Sequence, residues 1–224
     1  MKKAILFLND VKLTPSQIHK FRGFLGNLFK DYDLIHNHDV VTGMPKYRYP
    51  LIQFKLINNT PAIVAVTDKA VDVFSEIFLK MDKIVIDGTM IPVFEKGLKI
   101  EEVEFSYTSK MFTYEFIAPW IGLNQNNYQK YVGVKTHMEK TEILKRALIG
   151  NILSMSKYLD YWLARDQKVN ADLQVRERVV NLKANPMIGF TGIFKTNFII
   201  PDDLGIGKSV SRGFGTVKKI AGET

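Results

Sequence analysis

Apolar residues in the first half of the chain fall into short continuous runs and into stripes at helical spacing. The stripe of Ile18, Phe21, Leu25 and Leu28 predicts an amphipathic helix, and Thr14 followed by proline is a typical helix start. The predicted elements are, in order, a strand at 2–8, a helix from 14 to about 31, strands at 51–57 and 61–66, a helix from 68 to about 81, and a strand at 83–86. This β-α-β-β-α-β order is the ferredoxin-like pattern, which RNA-recognition domains also use.

The second half repeats this order of elements without repeating the residues. Strand segments near 91–94 and 101–119 are followed by helices at 124–131 and 141–161, a strand pair at 172–183 and 187–200, a glycine-rich loop, and a closing strand at 215–220. We therefore predict an α+β protein of two tandem ferredoxin-like (RRM-like) βαββαβ domains, residues 1–100 and 101–224. The second domain is degenerate and carries the C-terminal glycine-rich loop. Trp120 and Trp162 are expected in the core.

The charge balance and the absence of cysteine narrow the range of functions. The formal net charge is +8 and the sequence pI is about 9.4, which favours a polyanionic partner, either nucleic acid or an anionic membrane surface. Without cysteine there is no disulfide, thiolate catalyst or cysteine-ligated metal site. The N-terminal apolar run is too short for a signal peptide, and no run approaches the roughly 18 residues of a membrane span. We expect a cytoplasmic protein.

Glycine is concentrated near the end of the chain, where four of the 15 glycines fall within eleven residues. Gly205-Ile206-Gly207 and Gly213-Phe214-Gly215 are separated by five residues that include Lys208 and Arg212. Glycine permits positive φ and the close approach of another backbone or of a phosphate, and the two basic side chains favour an anion. The glycines alone are equally consistent with a flexible hairpin before the last strand.

A polar connection at 31–49 carries two of the four histidines, three tyrosines, a lysine and an arginine. Long connections of this kind are often functional. Three interpretations of His36 and His38 are open: a solvated structural loop, a metal site, and proton transfer. Alternate positions on an extended chain place both imidazoles on one side. Asp39 or Asp33 could add one metal ligand, but no second ligand cluster is evident.

Proton transfer by this connection would suit metal-free cleavage of RNA, because the ribose supplies its own nucleophile. A base takes the proton of the 2′-OH, that oxygen attacks the adjacent phosphate, and an acid protonates the departing 5′-oxygen. Histidine titrates near neutral pH and suits both roles, while a cation stabilises the charge on the phosphate. Side chains for every role are present in His36, His38, Lys46, Arg48, Tyr32, Tyr47 and Tyr49.

The closing stretch at 205–217 resembles the C-terminal G-h-G-x5-G-h-G-x-h motif (h, apolar) of the CRISPR repeat-processing endoribonucleases, the sixth Cas protein family of the RAMP superfamily. It matches that motif at every fixed position, and the segments 49–55 and 61–64 are similar to the family's N-terminal hairpin. The resemblance implies two RRM-like domains and metal-independent cleavage of the precursor CRISPR transcript within each repeat. The products would carry a 5′-OH and a cyclic 2′,3′ phosphate or its hydrolysed form.

The resemblance also implies roles for individual residues. Members place a histidine after the first helix, commonly with a tyrosine or a lysine, and this sequence departs from them by having two histidines. We expect His38 to be the base and His36 and Lys46 to act as acid or phosphate stabiliser. Tyr47 or Tyr32 matches the family's tyrosine and orients the reacting groups. Residues expected to bind RNA are Arg48, Gly205, Gly207, Lys208, Arg212, Gly213 and Gly215.

The expected partners are CRISPR repeat RNA, other Cas proteins of an effector complex, and a second copy of the chain in a homodimer. No cofactor, metal or membrane partner is expected. Some members of this family are poor or inactive nucleases, so the alternative is a non-catalytic CRISPR-associated RNA-binding subunit of the same fold. A metal-dependent phosphodiesterase is a third hypothesis.

Overall fold

The computed structural model of the chain describes residues 1–28, 49–182 and 185–220. Contacts divide the chain into two compact units. The first comprises Met1–Val103 and Val210–Gly213, and the second comprises Glu104–Ser209 and Phe214–Thr224. None of the described helices is both long and apolar enough to cross a membrane.

The first unit is built on a four-stranded antiparallel sheet. Its elements are β1 (Lys2–Leu8), α1 (Ile18–Leu28), β2 (Ile52–Ile57), β3 (Thr60–Val66), α2 (Asp68–Lys80), β4 (Lys83–Ile86), β5 (Thr89–Pro92) and β6 (Lys96–Glu102). The strand order is β2-β3-β1-β6. The strand that follows β1 and α1 therefore lies at one edge and the last strand lies at the other, which is the ferredoxin-like arrangement and confirms the predicted fold.

The strand expected to complete this sheet lies elsewhere. In the described part of the chain β4 pairs with β5 alone, through a tight turn in which Asp87 and Gly88 have φ of 53° and 77°. β6 takes the edge position instead and pairs with β1 along its whole length. No strand was predicted at 96–102, although Leu98 and Ile100 alternate with charged residues there; both side chains are exposed, so this alternation does not mark a buried face.

The helices of the first unit form as the apolar spacing predicts. A capping box between Thr14 and Gln17 starts a 3₁₀ turn at Pro15–Gln17 that leads into α1. Phe21 is fully buried and meets the ring of Phe54 edge-on, with 5.4 Å between the ring centroids. α1 packs against β2 and β4, and α2 packs against β1 and β3. The predicted stripe of α1 is thereby buried except at Leu28, which is 49% exposed because it is the last residue of the helix.

The second unit repeats the same strand order. Its elements are β7 (Ser106–Trp120), α3 (Gln125–Gly133), α4 (His137–Tyr158), β8 (Ala171–Leu182), β9 (Asn185–Ile199) and β10 (Val217–Lys219). The sheet order is β10-β7-β9-β8, all antiparallel. Between β9 and β10 the glycine-rich segment, with a 3₁₀ turn at Val210–Arg212, stands where the first unit has α2. The degenerate second copy was therefore predicted correctly.

The core of the second unit is aromatic. Trp120 is fully buried and stacks on Phe116, and Phe190 and Phe194 pack beside them. The expectation for Trp162 was wrong, because its side chain is 68% exposed and its Nε1 donates to Asp160 Oδ1. The predicted stripe of α4 is confirmed in its centre, where the buried residues are Leu144, Ala147, Leu148, Ile152 and Met155.

Candidate functional site

The two glycine units of the C-terminal motif lie side by side. The backbone N–H of Ile206 donates to the carbonyl oxygen of Gly215 at 2.9 Å, and an isolated antiparallel bridge joins Gly205 to Thr216. Just outside this pair, Val217 N–H donates to Leu204 O at 2.9 Å. The motif is therefore a narrow ribbon folded back on itself, whose five intervening residues form the turn. A backbone held by this pairing is not a floppy hairpin.

Glycine is required in this ribbon because the backbone comes close to other backbone atoms. A Cβ on Gly215 would lie 2.0 Å from the carbonyl oxygen of Ile206, and one on Gly207 would lie 2.7 Å from that of Ile121. Both glycines also have positive φ, 64° and 92°, which disfavours any other residue. The side chain of Ile206 between the two arms is fully buried. The spacing of the glycines is therefore explained by close backbone contacts within the protein. The approach of a phosphate is not needed to explain it.

Three of the loop's backbone N–H groups already have acceptors within the protein. Lys208 N–H donates to Ile121 O at 2.8 Å, Gly215 N–H to Pro119 O at 2.8 Å, and Gly213 N–H to Val210 O at 3.1 Å. These amides are not available to an incoming anion. The side chains of the turn are the other groups that can recognise an anion there.

The two basic side chains of the turn have different surroundings. Lys208 is exposed, and its backbone is held by the hydrogen bond to Ile121 O. Arg212 is half-buried, and burial lowers the pKa of its guanidinium. The 3₁₀ turn at Val210–Arg212 packs against α1 and β2 within the first unit. A shielded guanidinium binds a phosphate more strongly than one in open solvent, because water screens it less.

Arg22 of α1 belongs to the same region and was not predicted. Its Nε is buried without a hydrogen-bond partner in the described part of the chain. Burial lowers the pKa of Arg22, and the charge of Arg212 lowers it further. Helical spacing places Arg22 beside Ile18 and Leu25, at the border of the apolar stripe, and a long charged side chain at such a border is commonly solvated. Only the fold brings it beside a second arginine.

A groove in the second unit adjoins Lys208. It has a volume of about 590 Å³ and is lined by Ile121, Leu123, Asn124, Gln125, Tyr128, Val179, Pro186, Met187, Ile188 and Lys208. Most of its wall is apolar, with amide groups and one lysine at fixed places, and the ring of Tyr128 is 41% exposed. Pockets with this mixture of surfaces bind flat, partly polar ligands. The sequence shows no sign of the groove, since its wall comes from four separate segments.

The residues predicted to carry chemistry lie outside the described residues. His36, His38, Lys46, Tyr47 and Tyr32 all fall between 29 and 48, as does Arg48, and their roles stay predictions. The described chain borders this segment on both sides, at the end of α1 (Leu28) and at Tyr49, whose side chain is buried.

Comparison with known proteins finds similarity along nearly the whole chain. A family model described as the Cas6b N-terminal domain matches residues 3–104, and one described as the Cas6b C-terminal domain matches residues 106–220. An uncharacterized protein of Methanocaldococcus jannaschii is 42% identical over 146 residues, which are 65% of this chain and 97% of that protein.

Solved structures agree with the family models. A crystal structure of Cas6b superposes with a TM-score of 0.91 at 34% identity, over 98% of this chain and 99% of that one. A crystal structure of the CRISPR RNA processing endoribonuclease Cas6b has a TM-score of 0.78 at 32% identity, over 98% and 100%. Csf5, a type IV Cas6 crRNA endonuclease, shares the fold, with a TM-score of 0.64 at 12% identity over 98% and 99%.

Proposed function

The chain belongs to the Cas6b family, and on that premise we propose that it is an endoribonuclease that cleaves precursor CRISPR RNA within its repeats. The observation that carries the proposal is the match of both Cas6b domains over residues 3–104 and 106–220. The net charge of +8 agrees with a polyanionic substrate.

Cleavage proceeds by attack of the RNA on itself. His38 takes the proton of the 2′-OH, and the 2′-oxygen forms a bond to the adjacent phosphorus while the bond from phosphorus to the 5′-oxygen breaks. His36 or Lys46 supplies the proton for the departing 5′-oxygen or stabilises the charge on the phosphate. Tyr47 or Tyr32 orients the reacting groups. The products are a 2′,3′-cyclic phosphate and a 5′-OH, and the nucleophile requires no metal.

Binding of the RNA backbone is the role of the basic side chains of the loop. Lys208 and Arg212 contact phosphates, together with Arg48 from the segment before β2. The four glycines Gly205, Gly207, Gly213 and Gly215 act through the geometry of the ribbon, which sets where these side chains point. The loop then governs affinity, and the histidines govern the chemical step.

The reaction is tested with the host's repeat RNA in the presence of EDTA. We expect a single cut, and a 2′-deoxy substitution at the scissile nucleotide should abolish it because the nucleophile is gone. Absence of cleavage, or cleavage only with added metal, would overturn the mechanism. A metal-dependent phosphodiesterase would cut the 2′-deoxy substrate.

The histidine assignment is tested by the double variant His36→Ala, His38→Ala. Cleavage should fall by at least 10²-fold, the usual contribution of a general acid or base, with RNA affinity unchanged. His137→Ala is the matched control, because His137 is an exposed histidine at the start of α4, and it should cleave at the normal rate. If the double variant processes RNA as well as the wild type, the chain is a non-catalytic RNA-binding subunit.

The role of Arg212 is tested by separating binding from chemistry. Arg212→Ala should raise the Kd for RNA about tenfold, the value of one charge-assisted hydrogen bond. The single-turnover rate at saturating protein should change by less than about twofold, because in this proposal Arg212 binds the RNA backbone and the histidines act on the reacting atoms. Normal affinity with slow single-turnover cleavage would contradict this division of roles.

Assembly with other copies or other Cas proteins is part of the same proposal. Light scattering after size-exclusion chromatography measures whether the chain forms a homodimer. Association with an effector complex is measured by co-purification with the other Cas proteins of the host, with and without bound repeat RNA.

A further inference from the structure

Arg22 is an unusual arginine, because part of its guanidinium is buried without any partner. Its Nε has no contact with solvent and no hydrogen-bond acceptor in the described part of the chain. Buried donors of this kind are nearly always hydrogen-bonded, because an unpaired donor loses its hydrogen bonds to water and no other hydrogen bond compensates the desolvation cost. An unpaired buried donor on a charged group therefore calls for an explanation, and a bound anion beside the guanidinium is one that the neighbouring charges can test.

Arg212 lies close to Arg22 because of how its turn is attached. The 3₁₀ turn at Val210–Arg212 packs on α1 and β2. Gly213 ends the turn with φ of 88°, and a Cβ on it would lie 3.3 Å from Phe54 O and 3.4 Å from Ile18 Cγ2. Glycine suits this position because of its positive φ and the tight space, and the packing brings the half-buried Arg212 close enough to the half-buried Arg22 for its charge to act on it.

Among the residues that the structure describes, no carboxylate forms an ion pair with Arg22 or Arg212. The ion pairs in the described part of the first unit join Lys2 to Asp68, Lys3 and Lys99 to Glu101, Lys20 to Asp87, and the N-terminus to Glu102. None of them involves Arg22 or Arg212. Burial and mutual repulsion both lower the pKa of Arg22, which means that the free protein holds this pair at a cost in free energy.

We propose that Arg22 and Arg212 together bind one phosphate group of the RNA backbone. Two planar guanidinium forks can each give parallel hydrogen bonds to phosphate oxygens, a geometry that lysine cannot supply. The bound phosphate would neutralise the repulsion between the two guanidinium groups through the parts of both side chains that stay accessible to solvent. The phosphate site follows from the arginines themselves, and its assignment to RNA rests on the proposed function. Arg22 is thus a binding residue in α1, the helix that leads into the segment with the predicted catalytic histidines.

The first test measures RNA binding with a repeat RNA that carries a 2′-deoxy scissile nucleotide and is not cut. Arg22→Met and Arg212→Met should each raise the Kd about tenfold, and each should reduce the slope of log K against log salt by about 0.7, the value for one phosphate contact on a single strand. The double variant should bind no more than about twofold worse than either single variant, because both arginines act on one phosphate.

The matched control is Lys20→Met on the same helix. It removes the same charge, but Lys20 is already paired with Asp87. Its Kd for RNA should stay within about twofold of the wild-type value. Its slope of log K against log salt should differ from the wild-type slope by no more than about 0.2. Arg22→Lys should bind RNA only partly better than Arg22→Met, since it restores the charge and not the fork. An unchanged salt slope in Arg22→Met would overturn the phosphate contact.

The second test needs no RNA and uses the thermal midpoint of unfolding. Without ligand, Arg22→Met should melt at or above the wild-type temperature, because it removes an unpaired buried donor and a repulsion. Inorganic phosphate should raise the thermal midpoint of the wild type and of Lys20→Met by more than the midpoint of Arg22→Met. The shift in Arg22→Met measures the general stabilisation by phosphate salts and is subtracted from the other two. A fall of several degrees in Arg22→Met without ligand, or equal shifts in all three proteins, would show a structural arginine instead.

The two tests separate this proposal from the proposed function. If the wild type cleaves repeat RNA and Arg22→Met binds it with normal affinity and slope, the phosphate site is wrong and the nuclease stands. If phosphate selectively stabilises the wild type but the chain neither binds nor cuts repeat RNA, the anion site stands and its assignment to RNA is wrong.

Discussion

Replacing Gly207 by alanine should destabilise the second unit, because the new methyl group has no room. A Cβ at this position would lie 2.7 Å from Ile121 O, 2.7 Å from Trp120 Nε1 and 2.9 Å from Asn151 Oδ1, closer than real Cβ atoms approach. Trp120 Nε1 donates to Asn151 Oδ1 at 3.1 Å. The methyl group would therefore intrude on a hydrogen bond at the edge of the aromatic core.

The size of the effect can be worked out from two contributions. Alanine at the positive φ of Gly207 costs about 1–2 kcal/mol. Displacing Asn151 leaves the indole N–H of Trp120 unpaired, which adds about 1–3 kcal/mol because Trp120 is fully buried. A total of about 3 kcal/mol should lower the thermal midpoint by about 10 °C.

Tryptophan fluorescence is a suitable assay, because both tryptophans of the chain belong to the second unit. Trp120 is buried and Trp162 is largely exposed, so the change in signal on unfolding comes mainly from Trp120. The control is Gly150→Ala in α4, where nothing lies within 4 Å of an added Cβ. That variant should gain up to about 1 kcal/mol of stability from helix propensity.

A Gly207→Ala midpoint within about 2 °C of the wild type would refute the reasoning. So would a loss of stability in Gly150→Ala as large as that in Gly207→Ala, since alanine would then be harmful at any glycine. If Gly207→Ala unfolds as expected, the spacing of the glycine motif is explained by packing of the ribbon, whatever the loop binds.

Three side chains of the second unit offer further tests, of its helix start, its core and its loop. Thr136→Ala removes the capping box with Glu139 at the start of α4 and should lower the free energy of unfolding by about 1 kcal/mol in urea titrations; no loss would mean that the cap is not needed. Burial raises the pKa of Tyr114 to about 12, so its neutral form stabilises the fold fully below about pH 10, and this stability is lost as the pH rises toward 12. Tyr114→Phe should show a smaller loss over that range, and equal alkaline curves would contradict the assignment. Lys208→Ala should reduce the salt slope of RNA binding by about 0.7 with an unchanged thermal midpoint, because its side chain is exposed; a lower midpoint would instead indicate a packing role.

Local patterns in the sequence predicted most of the architecture. The stripe in α1, the hairpin of β2 and β3, and the stripe of α4 rest on contacts between residues a few positions apart, which periodicity reports directly. Boundaries shifted where a cap decided them: α4 begins at His137, before the predicted 141, because Thr136 and Glu139 close its first turn. The sequence also located the candidate chemistry in the polar connection that holds His36 and His38, and those roles stay predictions.

Features that depend on distant partners could not be predicted in this way. The place of β6 at the sheet edge is decided by its pairing with β1, and the short alternation at Leu98 and Ile100 does not indicate which strand it pairs with. Trp162 is apolar enough for a core, yet its side chain stays largely exposed. In both cases the residue types were compatible with the predicted strand or core position, and the packing of other segments decided the actual position.

By itself, the sequence determined two ferredoxin-like copies, a basic surface and a glycine motif with a fixed spacing. The tertiary structure alone decided that the glycines fit the ribbon onto itself and that Arg22 of α1 meets Arg212 of the last turn. The physical reason is that secondary structure follows from near neighbours along the chain, whereas the burial of a charge depends on what the fold brings against it. An arginine in a helix and an arginine in a loop are each ordinary, and the proposed anion site rests on their approach, with no carboxylate paired to either in the described part of the chain.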